Sequence, residues 1–152
     1  MTEIKKNIVL PYTSTQIYDL VNDLERYPEF ISWCKGVSIH SQTSYKTTAS
    51  IQASKFGMDF TFSIIYQPEP SKMIRIHLLN NGPFRSIEAL WRFKTLTNHE
   101  TQLGFEVQYE LSNRLFGWTI TPLLKNEINH LLKDFSARAE KQYGAKQQGS
   151  NQ

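Results

Sequence analysis

Between Gly36 and Leu111 apolar side chains recur at every second position, and after that the period lengthens to that of a helix. Met58, Phe60, Phe62, Ile64 and Tyr66 alternate with Asp59, Thr61, Ser63, Ile65 and Gln67, and Ile74, Ile76 and Leu78 alternate with Arg75 and His77. Ile87, Ala89, Trp91 and Phe93 follow the same rule, as do Leu103, Phe105, Val107, Tyr109 and Leu111. Successive side chains of a strand point to opposite faces, so each run reads as a strand with one covered and one wet face. Repeated this cleanly, the pattern predicts an antiparallel meander. Weaker runs at Val37 and Ile39, and at Ala49, Ile51 and Ala53, precede it. The breakers Pro68, Pro70, Asn80, Asn81, Gly82, Pro83 and Asn98 fall between strands.

What covers the sheet must come from the last segment. Leu124, Ile128, Leu131, Phe135 and Ala139 step along one helical stripe. Ser112 or Asn113 is a candidate cap. Pro122 either bends the helix or opens a fresh start capped by Thr121, and we favour one long bent helix.

At the other end, Glu3 to Leu10 reads as a strand stopped by Pro11. Thr13 and Gln16 then form a capping pattern ahead of an apolar face of Ile17, Leu20, Val21 and Leu24. Pro28 suits the first turn of a second short helix, or a tight bend, around Glu25 to Ile31. The fold class expected is α+β: about seven antiparallel strands wrapped around a long C-terminal helix, with two short helices after the first strand. One domain over 1–143 and a polar, disordered tail over 144–152 are expected.

Charge and composition narrow the function. Seventeen Lys and Arg against fourteen Asp and Glu leave +3, too small a field to imply nucleic acid, and no DNA partner is expected. On the terminal helix, Glu127, Asp134 and Glu140 offset most of Lys125, Lys133, Arg138 and Lys141, which reads as a solvated face. The single cysteine, Cys34, suits a reducing compartment and more often serves as a small buried hydrophobe than as a reactive thiol. The N-terminal residues carry no secretory or transit pattern, and no stretch approaches the roughly 18 apolar residues of a membrane span. A soluble, cytoplasmic protein is expected.

No catalytic set is legible. His40, His77, His99 and His130 fall on separate elements, without Cys or carboxylate at metal-ligand spacing, so no metal site is expected. A covered face carrying Phe60, Phe62, Ile76, Leu78, Trp91, Phe93, Phe105 and Val107 is wider than one helical stripe. Space is therefore expected between sheet and helix, in the form of an apolar ligand site, with a fully packed core as the alternative. Tyr66 and Tyr109 lie on that face, where each hydroxyl needs a partner or points at something polar in a cavity.

The stretch from Val21 to Cys34, Val-Asn-Asp-Leu-Glu-Arg-Tyr-Pro-Glu-Phe-Ile-Ser-Trp-Cys, packs three aromatics, a proline and four charges behind an amphipathic helix. Together with the Asn81-Gly82-Pro83-Phe84 turn, it resembles the signature of the START-like (SRPBCC) family of the coenzyme-Q-binding proteins and the ribosome-association toxin RatA, once filed under oligoketide cyclases. The resemblance spans roughly Ile4 to Tyr143. It implies the helix-grip fold and non-enzymatic binding of ubiquinone or a related lipid between sheet and terminal helix, in support of respiration.

On that reading Tyr27, Phe30, Trp33, Phe60, Phe62, Ile76, Leu78, Trp91, Phe93, Phe105, Val107, Tyr109, Leu124, Ile128 and Leu131 are the ligand-binding candidates. Pro28, Pro83 and Phe84 are candidates for the mouth or a docking surface. The stiff turn of Tyr27, Pro28, Phe30 and Trp33 then acts as a lid and docking patch, or else plugs the end of the grip. The resemblance also implies two alternatives, a protein that binds the large ribosomal subunit and a polyketide cyclase or aromatase. A membrane surface is a further transient partner.

Overall fold

The computed structural model of the chain describes residues 1–55, 57–79 and 84–144. β1 (Thr2–Leu10) leads into α1 (Ser14–Asn22) and a 3-10 turn (Leu24–Glu29). Six strands follow: β2 (Cys34–Gln42), β3 (Thr47–Lys55), β4 (Met58–Glu69), β5 (Met73–Leu79), β6 (Phe84–Thr97) and β7 (Glu100–Leu111). A second 3-10 turn (Arg114–Phe116) then precedes α2 (Gly117–Tyr143). The strands form one antiparallel sheet in the order β1-β7-β6-β5-β4-β3-β2. Only the β1 to β2 connection travels from one edge to the other, and α1 and the first 3-10 turn make that crossing.

The period-two pattern decides which face is covered. On β7, Thr101, Leu103, Phe105, Val107 and Tyr109 are all buried while the residues between them are not. Ala89 sits at the centre of this face, opposite Val107 on one side and Ile76 on the other. Register shifts occur in β2–β3 between Cys34 and Gly36 and between Ile39 and Ser41, and in β6–β7 between Phe84 and Ser86 and between Thr95 and Thr97. Extra residues of this kind bend and twist a strand, which lets a sheet close around a helix.

The α1 capping box forms as its sequence predicts. The Thr13 hydroxyl accepts from the Gln16 amide at 3.1 Å, and Gln16 Oε1 accepts from the Thr13 amide at 2.9 Å. Pro28 lies inside the following 3-10 turn rather than at its start.

Asn113 does act as a cap, but for the short 3-10 turn, its side chain accepting from the Leu115 amide at 3.0 Å. α2 itself begins at Gly117 and runs on through Pro122. Because Pro122 falls so near the start, its missing donor orphans only the carbonyl of Trp118, an exposed residue whose backbone water can reach. At the far end Gly144 takes a φ of +81° and its amide donates to the Glu140 carbonyl at 2.8 Å, a left-handed cap that suits a residue without Cβ. Gly144 thus finishes the helix instead of belonging to the tail, and 145–152 lie outside the described residues. The Tyr12 hydroxyl donates to the Gly144 carbonyl at 2.7 Å and the Tyr143 hydroxyl to the Gln16 carbonyl at 2.8 Å, which ties the C-terminal end of α2 to the β1–α1 corner.

Candidate ligand-binding site

α2 fills its grip unevenly. In its C-terminal half, Phe135 is fully buried, with the rings of Tyr27, Phe30 and Trp91 at 5.5, 5.2 and 5.2 Å from its own, each edge-on. That geometry is favoured between aromatic rings and leaves no room for a ligand. Leu132, which the sequence reading left off the stripe, is also buried here.

One to three turns earlier the helix presents Leu124, Glu127, Ile128 and Leu131 to a sheet floor that is small, because Ala89 and Val107 face one another across β6 and β7. A cavity of about 270 Å³ remains, lined by Trp33, Lys55, Phe60, Phe62, Leu78, Ile87, Ala89, Phe105, Val107, Leu124, Glu127, Ile128 and Leu131. It lies where strand pairing parts company: β4 and β5 remain paired out to Ser63 opposite Leu79, whereas the β5–β6 ladder ends at His77 opposite Glu88.

Apolar space of this size, left empty, forgoes packing worth several kcal/mol at roughly 24 cal/mol per Å³, less where solvent enters. Its rim is open. Phe60 is 47% exposed, and Trp33 is half-buried with its ring 6.2 Å from Phe62. The Trp33 carbonyl accepts from the Ser54 amide at 2.9 Å, which fixes the aromatic wall to the end of β3.

Of the fifteen ligand-binding candidates, Trp33, Phe60, Phe62, Leu78, Phe105, Val107, Leu124, Ile128 and Leu131 come together around this space. Six lie elsewhere. Tyr27, Phe30 and Trp91 belong to the packed cluster around Phe135, and Phe93 packs edge-on against Tyr18 at 5.3 Å. Tyr109 meets Phe84 at 5.5 Å, and Ile76 is half-buried against the core. Pro28 is exposed on its turn, Phe84 is half-buried, and Pro83 lies outside the described residues.

Tyr27 does not hang over the opening as a lid residue would. It is buried, and its hydroxyl donates to the Val21 carbonyl. Tyr66 donates to Asn22 Oδ1 at 3.0 Å, and the Tyr109 and Thr121 hydroxyls bond to each other, so none of these phenols is left to face the hollow unpartnered. Burial raises the ionisation of Tyr27 and Tyr66 well beyond the ordinary range and that of Cys34 above its own, keeping Cys34 a thiol and not a thiolate.

Four lining residues were not among the candidates, and their signal was present. Ile87 and Ala89 share the stripe of Trp91. Lys55 continues the inward parity of Ala49, Ile51 and Ala53, and Glu127 falls three residues after Leu124 and four before Leu131. Lys55 Nζ and Glu127 Oε1 are 3.2 Å apart, with side chains 30% and 25% exposed, so a half-buried ion pair stands in an otherwise apolar wall. No group of three or more metal-ligating side chains occurs among the described residues.

A sheet gripping a terminal helix around an apolar hollow defines a helix-grip domain. The chain belongs to the family described as polyketide cyclase / dehydrase and lipid transport, which matches residues 10–136. It is 30% identical over 146 residues to the ribosome association toxin RatA of Escherichia coli (strain K12), covering 96% of this chain and 92% of that one. It is 21% identical to the mitochondrial coenzyme Q-binding protein COQ10 homolog B of Xenopus laevis, covering 93% of this chain and 59% of that one.

Among solved structures, the Zhui aromatase/cyclase from Streptomyces sp. R1128 superposes with a TM-score of 0.85 at 13% identity, over 93% of this chain and 95% of that one. A START superfamily protein from Mycobacterium smegmatis superposes at 0.80 with 19% identity, over 91% and 97%. Likenesses at such identities speak for the fold, and function is decided by the site.

Proposed function

We propose that this chain binds a hydrophobic isoprenoid quinone or a similar lipid between its sheet and α2, without chemical conversion, to shield or deliver it in the cytoplasm in support of respiration. The hollow itself carries this reading: eleven of its thirteen lining side chains are uncharged, and all eleven are aliphatic or aromatic. The two charged ones pair with each other, with no Ser, Thr, Cys, His or Tyr among the lining to complete a catalytic set.

At about 270 Å³ the space is near the lower end of ligand pockets, roughly 300–1,000 Å³, so it suits a ring or a short isoprenoid length. A longer tail leaves past Phe60 and Met58, which are 47% and 61% exposed. No helix among the described residues is long and apolar enough to cross a membrane, so the lipid is met in a pocket or at a surface. Organic extraction of purified protein followed by mass spectrometry, together with quinone titration, tests the proposal. An empty extract combined with no saturable binding overturns it.

A second reading rests on kinship: the 30% identity to a ribosome association toxin extends over nearly all of both chains. Association with the large ribosomal subunit would use a surface, and the start of α2 offers one, with Trp118 87% and Leu115 75% exposed beside Arg114. Sedimentation with ribosomal subunits at low salt tests it, and absence from the large-subunit fraction removes it.

A further inference from the structure

The Lys55–Glu127 pair brings charge into a lining that is otherwise apolar. Burying two charges costs free energy that their attraction offsets only in part, and an aliphatic pair of similar volume would close the hollow at least as well. Lys55 is also the inward-facing end of β3, so the sheet aims it at the ligand space.

We infer that this pair selects the ligand's polar end, admitting a neutral hydrogen-bond acceptor such as a quinone or ketone oxygen and rejecting an ionised carboxylate. The inference rests on the ligand-binding reading above and names the head group that reading leaves open. An ammonium carries donors and no acceptor, so what it offers the hollow is a donor for an oxygen. Glu127, 3.2 Å away, balances its charge. A second carboxylate, Asp134, follows two turns along α2, and its titration is raised by burial and further by Glu127, while His130 and Lys55 oppose the rise. With Lys55 already matched by Glu127, a further negative group in the hollow meets the Glu127 carboxylate without a cation left to balance it, whereas a carbonyl dipole needs only the donor.

Three probes with one ring skeleton isolate the head group: 2-ethylnaphthalene, 2-acetylnaphthalene and 2-naphthoate. Binding is read at pH 7 from methyl chemical shifts of Ile87, Val107 and Ile128 in the full chain. Wild type is expected to bind the ketone about tenfold more tightly than the carboxylate, the scale of one charge-assisted hydrogen bond. Lys55→Met should weaken the ketone by about fivefold to tenfold while leaving 2-ethylnaphthalene unchanged, and Glu127→Gln should erase the rejection of 2-naphthoate.

If Lys55→Met fails to fold, the double variant Lys55→Met/Glu127→Gln removes both charges from the lining and carries the same ketone comparison. Equal losses for ketone and hydrocarbon, or no loss for either, overturn the selection. So does a Glu127→Gln variant that still excludes the carboxylate. Failure of 2-ethylnaphthalene to bind wild type overturns the ligand-binding reading itself, which is a different result from a ligand bound without regard to its head.

Discussion

Arg138 Nη2 donates to Glu29 Oε1 at 2.7 Å, and the same guanidinium lies 5.0 Å from the Phe30 ring centroid. One side chain from the packed half of α2 thereby pins the Leu24–Glu29 turn by its charge and by its flat face. This is why that turn does not serve as a lid: Arg138 holds it from outside while Tyr27 anchors it from within. The hollow opens instead at the Phe60 side.

Arg138→Ala is expected to lower the thermal midpoint by about 2–4 °C, corresponding to roughly 1 kcal/mol in a chain of this length, mostly through lost packing on Phe30. The loss should depend on pH. The hydrogen bond from Arg138 holds the Glu29 carboxyl below its ordinary value of 4.5, against the opposing effect of burial and with help from Arg26. A carboxyl depressed by folding contributes stability above its unfolded value, and that contribution fades as pH falls through the lower folded one. The gap between the melting curves of wild type and variant should therefore narrow, without closing, somewhat below pH 4.5, and a gap unchanged in acid would assign the whole effect to packing.

Asp134 has the opposite sign. Burial raises its titration above 3.8, so at neutral pH the folded state holds a carboxylate that the unfolded state holds more comfortably. As pH falls through the raised folded value the folded state takes up the proton first, and stability increases until the unfolded state follows near 3.8. Asp134→Asn is expected to raise the melting midpoint at pH 7 by about a degree or two, with the gain vanishing below pH 3.8. A variant less stable than wild type at pH 7 would show that the carboxylate is instead held by its cationic neighbours.

The strand positions and the covered face were legible because one rule, inward at every second residue, is enforced on β4 to β7 by burial. The same rule applied to β3 reaches Lys55, but a lysine in an apolar register reads as the end of a strand and not as part of its inner face. The division of the grip into a packed half and a hollow half was not legible. It depends on which sheet residues oppose each turn of α2: Trp91 and the Tyr27 turn opposite Phe135, but Ala89 and Val107 opposite Ile128. Those pairings follow from the β6–β7 register and the angle at which α2 lies, and neither is written in periodicity. Tyr27, Phe30 and Trp33 looked alike in sequence, and the bend after Ile31 is what sends only Trp33 to the hollow.

Trp118 is a large aromatic with 87% of its surface in water and Leu115 nearby at 75%. Side chains this exposed contribute little to folding, so Trp118→Ser should change stability by no more than about 0.5 kcal/mol. If the start of α2 is the docking surface for the ribosome, the same variant should reduce co-sedimentation with the large subunit by about tenfold, the scale of an aromatic anchor at an interface. Undiminished co-sedimentation would move the contact to another face.

Ala89→Phe separates the two functional readings. In a solidly packed core, adding this much volume costs about 1–3 kcal/mol, because neighbours must leave their preferred rotamers. Ala89, however, stands on the floor of a 270 Å³ space, between Val107 and Ile76 in register and beneath the Leu124–Leu131 stretch of α2. The new ring can occupy the hollow in place of a ligand and bury its own surface there. The melting midpoint is therefore expected to hold or rise, while quinone titration loses at least about tenfold in affinity because the guest's volume is taken. Ribosome co-sedimentation, if it uses the outer surface at the start of α2, should be unchanged. Loss of both activities together would mean that the hollow and the surface act as one site, with a bound lipid setting the shape the ribosome meets. A strongly destabilised variant would mean that the space is closed in solution.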